Sequence, residues 1–316
     1  MLFIFSLYWE LNTRDSNLIA GNSSHLFRCI STESLNSPLL IMSPIANKTT
    51  ELFGNISTKQ HFQSHASAYE RVAGATSARL AAVALSRLPL SSYTSSSHIL
   101  DSAAGPGIAT KLLLSPSPPD VSVPELPVFP APRVTGIDLA PAMVESFKAN
   151  KAALGWETAD AFVQDSGDLS RFKDAEFDAI VMNLGIFALP DAVAGAAEMY
   201  RVLKPSGYAA ITTWKVRRAA DVLQGTVDAI RPNSGLKPMD MPLEWTTKEK
   251  LVGVMEEGGF SIDQLEVLQT SPNWECGSEE ELVRNLSSPM WTARIWEGVE
   301  RRGEGTLGRG DTKAAA

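Results

Sequence analysis

Residues 98–107, His-Ile-Leu-Asp-Ser-Ala-Ala-Gly-Pro-Gly, constrain this chain more than any other stretch. Ile99 and Leu100 close a short apolar run that reads as a buried parallel strand, and Asp101 ends it. Ser102 to Gly107 then make a tight turn of small residues, and Ile108-Ala-Thr-Lys-Leu-Leu-Leu114 begins a helix. A strand that feeds a helix through a turn without bulk is a nucleotide-binding geometry. A ligand can approach the backbone there, and the helix N-terminus offers free N–H groups. The spacing is Asp-x-Ala-x-Gly-x-Gly. It is not the dinucleotide fingerprint G-x-G-x-x-G, nor a Walker loop, because no Gly-Lys-Ser/Thr follows.

The strand-then-helix rhythm continues. Arg133-Val-Thr-Gly-Ile-Asp138 reads as a second strand ending in an acid, followed by Leu139-Ala140-Pro141 with proline at a first helical position. Met143, Val144 and Phe147 mark one face of the helix that follows. A carboxylate at such a strand end can accept from both hydroxyls of a ribose; the alternative is a cap on the next helix. Ala161-Phe-Val-Gln-Asp165 reads as the third strand and Ser166-Gly-Asp-Leu-Ser170 as its exit. Phe177-Asp-Ala-Ile-Val-Met-Asn183 is the fourth, leaving Asn183 where ligands bind in open α/β sheets, either as a polar contact or as a plain turn residue. A helix opened by Pro190-Asp191 runs to Lys204-Pro-Ser-Gly207, a helix stop and tight turn before a fifth strand, Tyr208-Ala-Ala-Ile-Thr-Thr213. The βαβαβαβ order predicts an α/β fold, a Rossmann-like doubly wound, mostly parallel sheet.

Other segments surround this sheet. Residues 57–88 are Ala-rich and read as N-terminal helices able to cover a site, with Tyr69 and Arg71 either reaching into it or serving as packing and solvated residues. The stretch 115–132 holds seven of the 19 prolines and reads as a surface insertion within a βα unit. Residues 214–245 leave the sheet rhythm and read as a helical lid insertion. Its Lys215, Arg217 and Arg218 are either a solvated helix end or a contact for an acidic substrate. Thr246-Thr-Lys-Glu249 is a capping box, Gly258-Gly259 stop the helix it starts, and Phe260 to Leu268 is a sixth strand candidate. Ser278 to Val299 contains a helix with a break at Ser287-Ser-Pro289. Residues 1–41 lack periodicity and are expected to be a disordered extension, or an upstream misassignment of a start at Met42; the tail 301–316 is expected to be disordered.

Asp101 to Gly107 resembles the first motif of the class I S-adenosylmethionine (SAM)-dependent methyltransferases, Asp/Glu-x-Gly-x-Gly-x-Gly, with Ala103 where the first glycine usually stands. Arg201-Val-Leu-Lys-Pro-Ser-Gly-Tyr208 is similar to that family's Arg-x-Leu-Lys-Pro-Gly-Gly phrase, and Phe177-Asp178 to the pair that commonly precedes its fourth strand. The resemblance spans roughly Tyr69 to Leu268 and is nearest in pattern to small-molecule enzymes of fungal secondary metabolism and of the ubiquinone/menaquinone type. It implies a methyltransferase domain over 57–300 with SAM as cofactor. The cofactor-binding residues it implies are Asp101, Ala103, Gly105, Gly107, Asp138, Leu139, Met143, Asp165, Ser166 and Asn183. By the same resemblance Asp138 serves the ribose, Asp165 the adenine amino group and Asn183 the methionine or substrate end. Tyr69, Phe187 and Trp214 are the substrate candidates.

The implied reaction is in-line transfer of methyl from a sulfonium to O or N of a small-molecule acceptor. No dedicated base stands out: His61 and His65 read as helix-surface histidines, and no metal constellation is present in the sequence. Two other readings remain: a SAM-fold regulator or partner subunit that transfers nothing, and a cyclase on the same fold.

Composition narrows the partners. The net charge of −8 over 316 residues makes a poor binder of a phosphate backbone, and no Asn/Asp-Pro-Pro-Tyr follows the fourth strand, so a small molecule is expected rather than nucleic acid. Cys29 and Cys276 form no C-x-x-C, which points to a reducing compartment. No apolar run is long enough to span a membrane, and Met1 to Trp9 lacks the basic flank of a signal peptide. The expectation is a cytoplasmic monomer or homodimer.

Overall fold

The computed structural model describes residues 2–7, 57–116, 123–215, 218–237, 242–270 and 278–292. Seven strands form one sheet: β1 (Leu2–Leu7), β2 (His98–Ser102), β3 (Arg133–Asp138), β4 (Ala159–Val163), β5 (Phe177–Asn183), β6 (Leu203–Trp214) and β7 (Leu265–Thr270). Their order is β4-β3-β2-β5-β6-β1-β7, and every recorded pairing is parallel. The helices are α1 (Thr58–Leu85), α2 (Ile108–Leu114), α3 (Pro141–Leu154), α4 (Ala192–Val202), α5 (Arg218–Ile230), α6 (Lys248–Glu257), α7 (Glu279–Leu286) and α8 (Pro289–Thr292). This is the expected doubly wound arrangement.

The central strands β2 and β5 are buried over nearly their whole length because both faces of the sheet are covered there. Successive side chains point to opposite faces, so β2, β3, β5 and β6 each feed two cores. Ile99, Val134 and Val181 pack with Leu80, Leu112, Phe147 and Trp156 on the side of α1, α2 and α3. Leu100, Ile137, Ile180 and Ile211 pack with Met199, Leu251 and Met255 on the side of α4 and α6. Trp156 is buried to its indole nitrogen, which donates to Ser115 Oγ at 2.7 Å. No helix among the described residues is long and apolar enough to cross a membrane.

Local signals account for most element ends. Ser57 caps α1 by accepting from Gln60 N, Pro141 stands at the start of α3, and Gly155 ends α3 in the left-handed region at φ 69°. The break expected near Ser287 separates α7 from α8. The cap of α6 is Thr247, which accepts from Lys250 N, rather than Thr246, whose hydroxyl instead donates to the Leu243 carbonyl.

Two expectations need correction. Leu2–Leu7, expected within a disordered extension, form β1, hydrogen-bonded in register to β6 on one side and β7 on the other. A short apolar run without alternation, here Leu2-Phe-Ile-Phe5, suits a strand inside a parallel sheet, so missing periodicity was no argument for disorder. Residues 8–56 and the tail 301–316 lie outside the described residues. The Lys204-Pro-Ser-Gly207 phrase is a bulge at the start of β6, not a turn before it. Leu203 pairs with Phe177 and Tyr208 with Ala179, so the chain between them loops out. Asp178 pins the bulge: Oδ1 accepts from Lys204 Nζ at 2.8 Å and Oδ2 from His98 N at 2.8 Å.

Candidate functional site

The C-terminal ends of β2, β3, β4 and β5 open into one pocket. Ala103 and Gly105 line it from the turn after β2, Asp138, Leu139, Ala140 and Met143 from the β3–α3 junction, Asp165 and Ser166 after β4, and Asn183, Leu184 and Gly185 after β5. Thr58, Lys59, Phe62 and Tyr69 of α1 close one side, and Ala188, Leu189 and Pro190 complete the wall. The helix is held there by polar and apolar contacts with α3. Gln63 Oε1 accepts from Ala142 N at 2.9 Å, and Asn150 Nδ2 donates to Glu70 Oε2 and to the Pro106 carbonyl. Ala66, Ala140 and Met143 form a small core between them, with Phe62 and Tyr69 packed against it.

The half-buried carboxylate of Asp138 organises the floor. Oδ2 accepts from Gly105 N and Oδ1 from Ala140 N, each at 2.9 Å, so the glycine turn and the start of α3 share one anchor. Each oxygen retains a further lone pair. Burial pushes this carboxyl pKa up, while the two backbone donors pull it down. Ser102 Oγ donates to Ser166 Oγ at 2.9 Å, tying the end of β2 to the exit of β4. Asp165 Oδ1 accepts from Gly167 N and shapes that exit. Asn183 donates from Nδ2 to the Ser77 carbonyl and accepts at Oδ1 from Thr212 Oγ1, which accepts in turn from Leu184 N.

The turn geometry leaves room for a ligand. Gly105 has φ +56°, and a Cβ there would meet only Met143 Sδ at 3.9 Å, so the open space beside this backbone belongs to the pocket. Four described non-glycine residues have positive φ, and two of them, Ala103 at 55° and Leu184 at 61°, line the pocket. Backbone strain of this kind concentrates at functional sites. The two turns touch, since a Cβ on Gly185 would fall 2.6 Å from Ala103 Cβ. An open backbone cradle beside an anchored carboxylate with spare lone pairs fits a nucleoside-bearing cofactor.

The structure therefore brings together Tyr69, Ala103, Gly105, Asp138, Leu139, Met143, Asp165, Ser166 and Asn183, and it sets four other candidates apart. Asp101 is only 2% exposed and points into the fold, where Oδ2 accepts from both Thr110 N and Thr110 Oγ1. Gly107 caps α2 and faces Phe147, which a Cβ would approach to 2.7 Å, so packing demands this glycine. Phe187 packs against the α4–α6 core, and Trp214 packs at the end of β6 against both cores. His61, expected on a helix surface, is 3% exposed, and burial drives its pKa down to about 3. Tyr69 OH lies 3.3 Å from Ser77 Oγ, and burial pushes its phenol pKa up. Arg71 is exposed, Lys215 Nζ donates to Gln269 Oε1, and Arg217 lies outside the described residues. Sequence reasoning missed Thr58, Lys59, Phe62, Ala140 and, in the 184–190 segment, all the lining residues, having named only Phe187 there, which does not line the pocket. Only the placement of α1 across the strand ends reveals the first three, whereas the 184–190 segment could have been sought directly after Asn183.

Residues 100–211 match the family model described as a methyltransferase domain. Among particular proteins, it is 33% identical over 127 residues to the ubiquinone/menaquinone biosynthesis C-methyltransferase UbiE of Geotalea daltonii, covering 40% of this chain and 49% of that one. It is 26% identical over 172 residues to methyltransferase tpcH of Aspergillus fumigatus, covering 51% and 60% respectively. A SAM-dependent methyltransferase of known structure from Aquifex aeolicus superposes with a TM-score of 0.39 at 20% identity, over 56% of this chain and 82% of that one. The chain spans about half the length of the curated relatives it matches.

Proposed function

We propose that this protein transfers the methyl group of SAM to an oxygen or nitrogen of a small organic acceptor of the secondary-metabolite kind. The observation that carries the reading is the single pocket in which the Ala103–Gly105 turn, Asp138, Asp165 and Asn183 converge from four strand ends. In this reading Asp138 keeps the glycine turn in place and offers its outward lone pairs to the ribose. Leu139 and Met143 supply apolar walls, and Asp165 and Ser166 the polar edge for the base. When bound, the cofactor supplies an electrophilic methyl on a sulfonium, so no enzyme nucleophile is required. The protein's share is orientation and exclusion of water, with α1 and Phe62 over the pocket. Such positioning is worth about 7–11 kcal/mol of barrier. The same reading has the protein acting in the cytoplasm, as a monomer or homodimer, on a free small molecule; its acidic net charge and two isolated cysteines support that.

The test is incubation of the full chain with SAM labelled in the methyl group and a panel of phenols, carboxylic acids and amines. Label on oxygen or nitrogen of an organic acceptor is the expected result. Label on carbon contradicts the acceptor assignment, and SAM binding with no transfer to any panel member moves the balance to a non-transferring SAM-fold protein.

A further inference from the structure

The side of the pocket made by α1 and the segment after β5 differs in chemistry from the floor. Phe62, Leu184, Ala188, Leu189 and Pro190 give an apolar wall, and Lys59 stands beside it on the first turn of α1. Lys59 is the only cation among the lining residues, and it forms no ion pair among the described residues. Its long flexible stem can carry the ammonium along the wall while the charge stays solvated.

The remaining titratable groups of the pocket are engaged elsewhere. Both oxygens of Asp138 hold backbone N–H groups, Asp165 holds Gly167 N, and the Tyr69 hydroxyl is paired with Ser77. In the reading above, the free lone pairs of Asp138 and Asp165 face the cofactor's ribose and base, which leaves neither to take a proton from an acceptor at the apolar wall. An uncharged hydroxyl would thus reach the methyl group with its proton in place and no base to receive it.

Building on the methyltransferase reading above, we propose that the acceptor binds as an anion, an ionised oxygen on an apolar ring or chain, and that Lys59 is the residue that selects it. The chemistry then balances without a base. The anionic oxygen forms a bond to the methyl carbon as the carbon–sulfur bond breaks. The electron pair of that bond returns to sulfur, the oxygen loses its charge and the sulfonium becomes a neutral sulfide. No proton moves in the step. Lys59 is a specificity-determining residue here, holding the anion against the wall and taking no part in bond-making.

The experiment is calorimetric titration of the full chain, saturated with S-adenosylhomocysteine, with naphthoate and with its neutral isostere naphthamide. Naphthoate is expected to bind about tenfold more tightly, the worth of one charge-assisted contact. Lys59→Met should abolish the preference, Lys59→Arg should keep most of it, and the affinity for S-adenosylhomocysteine should stay the same in both variants. Equal affinity for the two probes, no binding of either, or a preference that survives Lys59→Met overturns the proposal. So does a loss of S-adenosylhomocysteine affinity in Lys59→Met, which would put the ammonium on the cofactor's own carboxylate. Failure of the folded wild-type chain to bind S-adenosylhomocysteine at all is a separate result, and it overturns the methyltransferase reading itself.

Discussion

Asp101 and Asp138 end neighbouring strands, yet their carboxylates act on different parts of the protein. Asp101 faces the fold, and burial raises its pKa from 3.8 to about 6 despite the two Thr110 donors. A folded-state value above the unfolded one means that the native state holds the proton more tightly. This contribution to stability is fully present below about pH 4 and is lost as pH rises through about 6. Both Thr110 bonds go to one oxygen, so Asp101→Asn keeps the acceptor and removes the charge. In urea unfolding series, the gap in stability between wild type and Asp101→Asn should shift in favour of the variant by about 2–3 kcal/mol between pH 4 and pH 7. Parallel pH profiles would contradict this role. Asp138 faces the pocket instead. Asp138→Ala releases Gly105 N and Ala140 N and removes the outward lone pairs, so SAM affinity should fall at least about tenfold while the fold is kept. Unchanged affinity by calorimetry would remove Asp138 from the site.

At the scale of elements, α1 is tied to the strand ends by Asn183, whose amide bridges the Ser77 carbonyl and Thr212 Oγ1. Asn183→Ala leaves those buried groups without their side-chain partner and should cost about 1–3 kcal/mol in unfolding free energy. Phe147→Ala should cost about 3–5 kcal/mol, because that ring fills the space that Gly107 and Gly136 leave open. Urea midpoints check both. The β2–α2 and β3–α3 units were legible in the sequence because their signals are local: an apolar run, an acid, a small-residue turn, a proline at a helix start. Gly107 was not, since a glycine needed for an aromatic ring and one needed for a ligand carry the same signal. Lys59 and Phe62 were invisible for another reason. Their place in the pocket depends on how α1 lies across strands far away in sequence, which no local pattern encodes. Asn183 fell between the two, its position legible and its hydrogen bonds to α1 and β6 not.

For the whole molecule, the sheet separates two cores, and the pocket sits where four strand ends meet α1. β1 joins β6 to β7, so the far side of the sheet depends on the first residues of the chain. Deleting residues 1–7 strips β6 and β7 of the strand between them and should lower the urea midpoint or promote association through the exposed edges. An unchanged midpoint and a monodisperse product would contradict a structural role for β1. Cofactor binding in the pocket underlies the whole reading. Its most direct test is calorimetric titration of the full chain with SAM and with S-adenosylhomocysteine, beside Gly105→Val, whose side chain would occupy the cradle. Micromolar, one-to-one binding of both ligands to wild type, lost in a folded Gly105→Val, is the result expected. A folded wild-type chain that binds neither, or a Gly105→Val variant that binds both as well as wild type, would contradict it.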